Sequence, residues 1–146
     1  MIRKKFLLAI IGIILLFLGY WGWKVYQDST REIIPLESLQ VTVIKTDKDY
    51  SISVKADLDN FEQLSNYQAI QISNDVYLYF MKTKAIFKKN TVDADLSNIL
   101  VGNINQAINN IYVVSGNDII VKFNDSKYNH INVLKYTDRK LLLRLN

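Results

Sequence analysis

The chain has 146 residues, a formal net charge of +4, one histidine and no cysteine, and 49% of its residues are hydrophobic. This length suits one ordinary domain, and the lack of cysteine excludes disulfides, thiol catalysis and a lipid-modified cysteine. Three of the basic residues are Arg3, Lys4 and Lys5, and without them 15 basic residues face 14 acidic ones. The remainder carries no field suited to nucleic acid, so we expect no nucleic-acid partner.

An uncharged apolar run of 18 residues, 6–23, follows this basic start. At 1.5 Å per residue such a helix reaches about 27 Å, close to the ~30 Å hydrocarbon core of a bilayer. Trp21 and Trp23 stand at its C-terminal end, where amphipathic rings settle at the headgroup level. The run predicts a membrane anchor, with the lipid bilayer as a partner.

The charges on the two sides of the run predict its orientation. Arg3, Lys4 and Lys5 have no acidic neighbour, whereas the basic residues after the run are balanced by acidic ones. The positive-inside rule therefore makes residues 1–5 a cytoplasmic stub of a single-pass cell-membrane protein whose C-terminal part is extracytoplasmic. A cleaved signal peptide is the competing interpretation, but the bulky exit at 20–23 disfavours cleavage. A buried core helix is a third.

Residues 24–39 are predicted to be a juxtamembrane linker, with the only proline, Pro35, ending any extension of the helix. Fully extended, this segment spans at most roughly 55 Å. We therefore expect the domain formed by 40–146 to work close to the membrane surface.

Alternating apolar and polar residues at 40–46 and 50–56 predict a β-hairpin with a turn at 46–49. Asp59, with Glu62 three residues later, predicts a capped helical turn above Phe61 and Leu64. Two further β segments follow at 68–73 and 76–87, and residues 76–81 are apolar on both faces, which is typical of a central strand.

Apolar residues at helical spacing predict a helix over 95–110 capped by Asp95, although five asparagines and Gly102 weaken it. Four more strands are predicted at 111–114, 119–123, 130–136 and 140–145. The fold class expected is mainly β, an antiparallel β-sandwich of Ig-like size with one short helix near 95–110. An α+β fold with that helix on one antiparallel sheet is the alternative.

No motif in the chain carries catalytic or metal chemistry. His130 has no second histidine or cysteine to share a metal, and no serine motif supplies a nucleophile for it. Three Asp-x-Asp pairs, at 47/49, 57/59 and 93/95, are explained as turn and cap residues, because calcium needs six to eight oxygen ligands. We expect no cofactor and no metal.

One stretch of the chain combines four lysines with three aromatic residues: Lys82, Lys84, Lys88 and Lys89 with Tyr77, Tyr79 and Phe87. The pattern resembles a stacking surface for single-stranded nucleic acid, but an extracytoplasmic location argues against it. Two interpretations remain for the lysines: a solvated strand end, or contact with an anionic surface of headgroups or wall polymers.

The function expected from the sequence is non-enzymatic binding of another envelope or membrane protein. A membrane-displayed immunity or exclusion protein, directed at a toxin, a phage or a conjugation system, is the alternative. An envelope hydrolase ranks third for want of a catalytic signature. Abundant Ile, Asn, Lys and Tyr indicate an A+T-rich genome, such as that of a Gram-positive bacterium, a phage or a mobile element. The sequence makes no prediction of oligomeric state.

Overall fold

One long helix precedes two β-sheets that share a core. The structure is a computed structural model, and it describes residues 2–101, 107–116 and 138–145. The helices are α1 (Ile2–Ser29), a 3-10 helix (Leu36–Ser38) and α2 (Leu96–Ile99). The strands are β1 (Glu32–Ile33), β2 (Leu39–Lys45), β3 (Tyr50–Ala56), β4 (Glu62–Ile72), β5 (Asp75–Lys84), β6 (Thr91–Asp95), β7 (Leu100–Val101), β8 (Asn110–Ser115) and β9 (Asp138–Arg144).

Helix α1 is long and apolar enough to cross a membrane. Within its candidate span, Ile2–Gln27, the most apolar 18-residue window has a mean hydropathy of 2.2 and is 0% buried against the rest of the protein. An apolar helix that the protein does not cover needs another apolar surrounding. The helix ends at Ser29, where Thr30 N–H donates to the Tyr26 carbonyl (3.1 Å). It therefore ends before Pro35, and the segment predicted as a linker contains the end of α1, β1 and the 3-10 helix.

The larger sheet is mixed and has six strands in the order β7-β4-β5-β8-β9, with β1 added beside β5. Strands β4 and β5 form an antiparallel hairpin, whereas β8 runs parallel to β5 and β7 parallel to β4. The smaller sheet, β2-β3-β6, is entirely antiparallel. The β2–β3 hairpin predicted at 40–56 is confirmed, with Thr46 N–H donating to the Asp49 carbonyl (2.8 Å) in its turn.

The main core lies between the two sheets. Its buried side chains come from alternate positions of both, including Ile52 and Val54 from β3, and Leu78 and Phe80 from β5. Tyr67 stacks on Phe80 with ring centroids 6.3 Å apart. The mainly β, two-sheet class is thus confirmed. The parallel pairs are a feature that hairpin patterning does not show, because strands paired in parallel are distant in sequence.

Strand β5 is buried on both faces, as its sequence predicts. Residues Val76, Leu78 and Phe80 face the main core, and Tyr77, Tyr79 and Met81 form a second cluster on the opposite face. Burial raises the pKa of Tyr79 to about 12, and its hydroxyl donates to Gln68 Oε1 (2.8 Å). Since the rings of Tyr77 and Tyr79 are buried, they offer no stacking platform to a nucleic acid.

The helix predicted over 95–110 is much shorter than expected. Helix α2 has only four residues, and Leu100 and Val101 pair with Ala69 and Ile70 of β4 as strand β7. The predicted extent was wrong because pairing at the edge of β4 competes with weak helix formers. Residues 107–109 form no helix and Asn110 begins β8. Residues 102–106 of that prediction, and the strands at 119–123 and 130–136, lie outside the described residues.

The cap of α2 comes from a distant residue. Asp95 occupies the N-cap position but makes no side-chain cap hydrogen bond. Instead Asp49, in the β2–β3 turn, accepts hydrogen bonds from the N–H (3.3 Å) and hydroxyl of Ser97. Desolvation opposes the charge of Asp49, but these bonds and one from Tyr50 N–H outweigh it and lower its pKa.

Candidate functional site

Helix α1 joins the β domain through hydrogen bonds and a short strand. Gln27 Nε2 donates to the Lys84 carbonyl (3.0 Å) at the end of β5. Strand β1 then pairs with β5, placing Glu32 opposite Lys82, and Ile34 N–H donates to the Phe80 carbonyl (3.0 Å). We call this set of contacts the α1 junction. From Gln27 to Ile34 the chain runs back along β5, contacting Lys84 first and Phe80 last. The C-terminal end of β5 is therefore the end of the domain nearest α1.

Two of the four lysines singled out in the sequence share one carboxylate beside the junction. Lys82 Nζ lies 3.2 Å and Lys84 Nζ 3.6 Å from the carboxylate of Glu62. The Glu62 side chain is only 5% exposed, against 21% for Lys82 and 43% for Lys84. We call these three residues the Glu62 cluster. Lys88 and Lys89 are exposed, so the structure separates a paired couple of lysines from an exposed couple.

Glu62 is held in its charged form. Desolvation on its own would raise its pKa, but the hydrogen bond from Asp59 N–H (2.9 Å) and the charges of Lys82 and Lys84 more than offset it, so the pKa lies below its usual value. The predicted pairing of residues 59 and 62 is therefore present as this hydrogen bond. The predicted helical turn is absent, because residues 57–61 form no helix, and Glu62 begins β4.

An exposed apolar tip extends beyond the Glu62 cluster. Phe61, Ile86 and Phe87 are 66%, 64% and 80% exposed, and Lys88 and Lys89 follow them. We call these five residues the loop tip. Its base is held by Ala85 N–H donating to the Phe61 carbonyl (2.7 Å) and by Leu64 N–H donating to the Lys89 carbonyl (2.8 Å). The expectation that Phe61 packs inside was wrong, since its side chain faces solvent.

The second exposed feature is the outer edge of β2. In the β2–β3 ladder, Thr46 N–H and the Ser38 carbonyl bond towards β3, so the alternation of an antiparallel pair turns the N–H and C=O groups of Val41 and Val43 outward. No described strand pairs with this edge. Ile44, 59% exposed, stands beside it. Unpaired backbone groups in a strand of seven residues are a template for another strand.

The described residues include no metal centre and border one polar cavity of note. No group of three His, Asp or Glu residues among them could hold a metal ion. An open polar cavity of about 330 Å³ has Glu37, Ser38, Lys55 and Asp57 in its wall. His130 lies outside the described residues.

The predicted anchor residues lie on α1. Arg3, Lys4 and Lys5 form its exposed first turn, and Trp21 is exposed near its other end. The ring of Trp23 lies 5.6 Å from that of Tyr26. Basic and aromatic residues thus mark the two ends of the apolar span.

Comparison of the chain with protein-family models, with curated proteins and with solved structures finds no match. The α1 junction, the loop tip and the β2 edge are the structural features that bear on function.

Proposed function

We propose that this protein is a single-pass membrane protein whose β domain binds a segment of another envelope protein at the β2 edge. The observation that carries the proposal is this edge, whose backbone groups none of the described strands pairs with, on a domain tied to an apolar helix. A partner segment adding as a strand would gain main-chain hydrogen bonds, with side chains such as Ile44 supplying selectivity. The binding is non-enzymatic, and the envelope of a Gram-positive bacterium is the setting that composition favours.

Topology is tested with single cysteines, which the cysteine-free chain allows. Asp93→Cys, at an exposed position of β6, should react with a membrane-impermeant maleimide in intact cells. Lys4→Cys should react only after permeabilisation, because the proposal places the N-terminus in the cytoplasm. Labelling in the opposite order would contradict the proposed orientation.

Partner binding is tested by removing one outward N–H group. A photo-cross-linker at Ile44 should capture a partner in native membranes, whereas the same group at Ser53, within the sheet, should not.

The identified partner should then bind the full chain and the Val43→Ala variant, but not Val43→Pro, which lacks the N–H and is tolerated at a strand edge. Equal binding to both variants, with equal unfolding midpoints, would rule out strand addition at β2. Capture of a toxin or of a transfer component would identify the immunity or exclusion function.

A further inference from the structure

The loop tip carries large apolar side chains that are not packed into the β domain. Phe61, Ile86 and Phe87 are the most exposed large apolar side chains in the described part of the chain outside α1. Phe61 also has a φ of 66°, a left-handed conformation that a bulky side chain adopts only under strain. A strained, exposed phenylalanine gains nothing from the packing of this domain, so its role is to be sought outside it.

The loop tip lies at the end of the β domain nearest α1. Strand β5 runs towards α1 and ends at Lys84, whose carbonyl binds Gln27 of α1. The tip follows directly, and Phe61 precedes Glu62, which pairs with Lys84. Gln27 is four residues beyond Trp23, or about 6 Å along a helix. Since the headgroup layer adds about 5–8 Å to each side of the hydrocarbon core, Lys84 lies at headgroup depth when α1 spans the bilayer.

The chemistry of the tip matches that layer. Phenylalanine and aliphatic side chains bury at the boundary between headgroups and acyl chains, and lysines beside them are attracted to anionic headgroups. Lys88 and Lys89 are exposed, and the Glu62 cluster, with two lysines to one carboxylate, keeps a net positive charge, so the buried carboxylate does not oppose an anionic surface. Exposed apolar side chains with exposed lysines, at the membrane end of the domain, fit a lipid surface.

We propose that the loop tip inserts into the anionic headgroup layer of the leaflet through which α1 leaves the membrane. The inference rests on α1 spanning the bilayer, which is part of the proposed function. The tip is then a second membrane contact that fixes the domain's orientation.

The test uses the full chain in vesicles of phosphatidylglycerol and phosphatidylcholine, with an environment-sensitive dye on one introduced cysteine. Lys88→Cys reports on the tip. Asn74→Cys, at the opposite end of the β4–β5 hairpin and about 33 Å away along β5, is the matched control. Headgroup-spin-labelled lipid should quench the dye at 88 and leave the dye at 74 unquenched.

Two variants then probe the contact itself. Adding Phe61→Asn should reduce quenching at 88 while the unfolding midpoint stays equal or rises, because Asn tolerates the left-handed region. Adding Lys89→Gln should lower the ratio of inserted to detached tip about fivefold in anionic vesicles, and little in pure phosphatidylcholine. A fall in the unfolding midpoint with unchanged quenching would show that Phe61 has a structural role and overturn the inference.

The two tryptophans separate this inference from the proposed function, because both lie in α1. Quenching of tryptophan fluorescence by lipids brominated in the acyl chain reports insertion of α1 alone. Quenched tryptophans with an unquenched tip would overturn the inference and leave the proposed function standing. Unquenched tryptophans would overturn both.

Discussion

Glu62 of β4 links its own strand to β5 at the end of the domain nearest α1. Its carboxylate accepts the Asp59 N–H and lies within 3.6 Å of both Lys82 and Lys84. A carboxylate so nearly buried is stable only because these donors replace the water it has lost. Sequence reasoning found the 59–62 pair but not the lysines, which lie 20 or more positions later and meet Glu62 only through the β4–β5 register.

Replacing Glu62 with Gln should lower the free energy of unfolding by about 1–3 kcal/mol at neutral pH. Gln keeps the acceptor for Asp59 N–H but leaves both lysines without a counter-charge. Denaturant unfolding of the full chain in detergent measures the loss. Glu37→Gln, at an exposed position, is the control and should change stability by less than about 0.5 kcal/mol.

The pH dependence of this effect follows from the lowered pKa of Glu62. A depressed folded-state pKa stabilises above the unfolded value of about 4.3, and the contribution is lost as pH falls through the folded pKa. Wild type and Glu62→Gln should therefore converge in acid. A difference that persisted in acid would show that the loss comes from packing rather than from charge.

At the scale of elements, β1 has an importance out of proportion to its two residues. It converts the end of α1 into part of the larger sheet, and Ile34 immediately after it is 1% exposed in the main core. The Ser115 hydroxyl donates to the Ile34 carbonyl (3.0 Å), so β8 also holds this segment. Periodicity could not reveal β1, because two residues are too few to show alternation.

Ile34→Ala should therefore lower the free energy of unfolding by about 2–5 kcal/mol. Ile44→Ala removes the same atoms from an exposed position of β2 and should cost far less. Thermal and denaturant unfolding of the full chain compare the two variants. Equal losses would mean that the segment after β1 is not packed as described.

At the scale of the whole molecule, α1 and the described part of the β domain meet over a short stretch. The apolar window of α1 is 0% buried, and a methyl group added at Gly12 or Gly19 would meet no atom within 4 Å. Contacts begin near Gln27. The stability of the domain should thus be independent of the apolar part of α1.

The double substitution Ile11→Lys and Ile14→Lys should release the protein from membranes, because each lysine costs about 2.5–3.5 kcal/mol at the centre of a spanning helix. The unfolding midpoint of the domain, measured in the same detergent, should not change. Ile11→Leu with Ile14→Leu is the control and should remain in the membrane fraction. Release accompanied by a lower midpoint would indicate that α1 packs on the domain.

Local patterns were sufficient for several parts of this fold. Eighteen uncharged residues predicted α1, strict alternation predicted the β2–β3 hairpin, and a run apolar on both faces predicted the burial of β5. Each depends on neighbours in sequence, so the physical cause is visible in a short window.

Contacts between distant segments determined the rest. The parallel β5–β8 pair, the early end of α2, the cap supplied by Asp49 and the pairing of Glu62 with Lys82 and Lys84 all join residues that no window contains. The loop tip belongs to the same class, because exposure of Phe61, Ile86 and Phe87 depends on what the fold leaves uncovered. The sequence by itself determined an apolar helix and a β-rich domain, and only the tertiary structure placed these side chains beside the end of that helix.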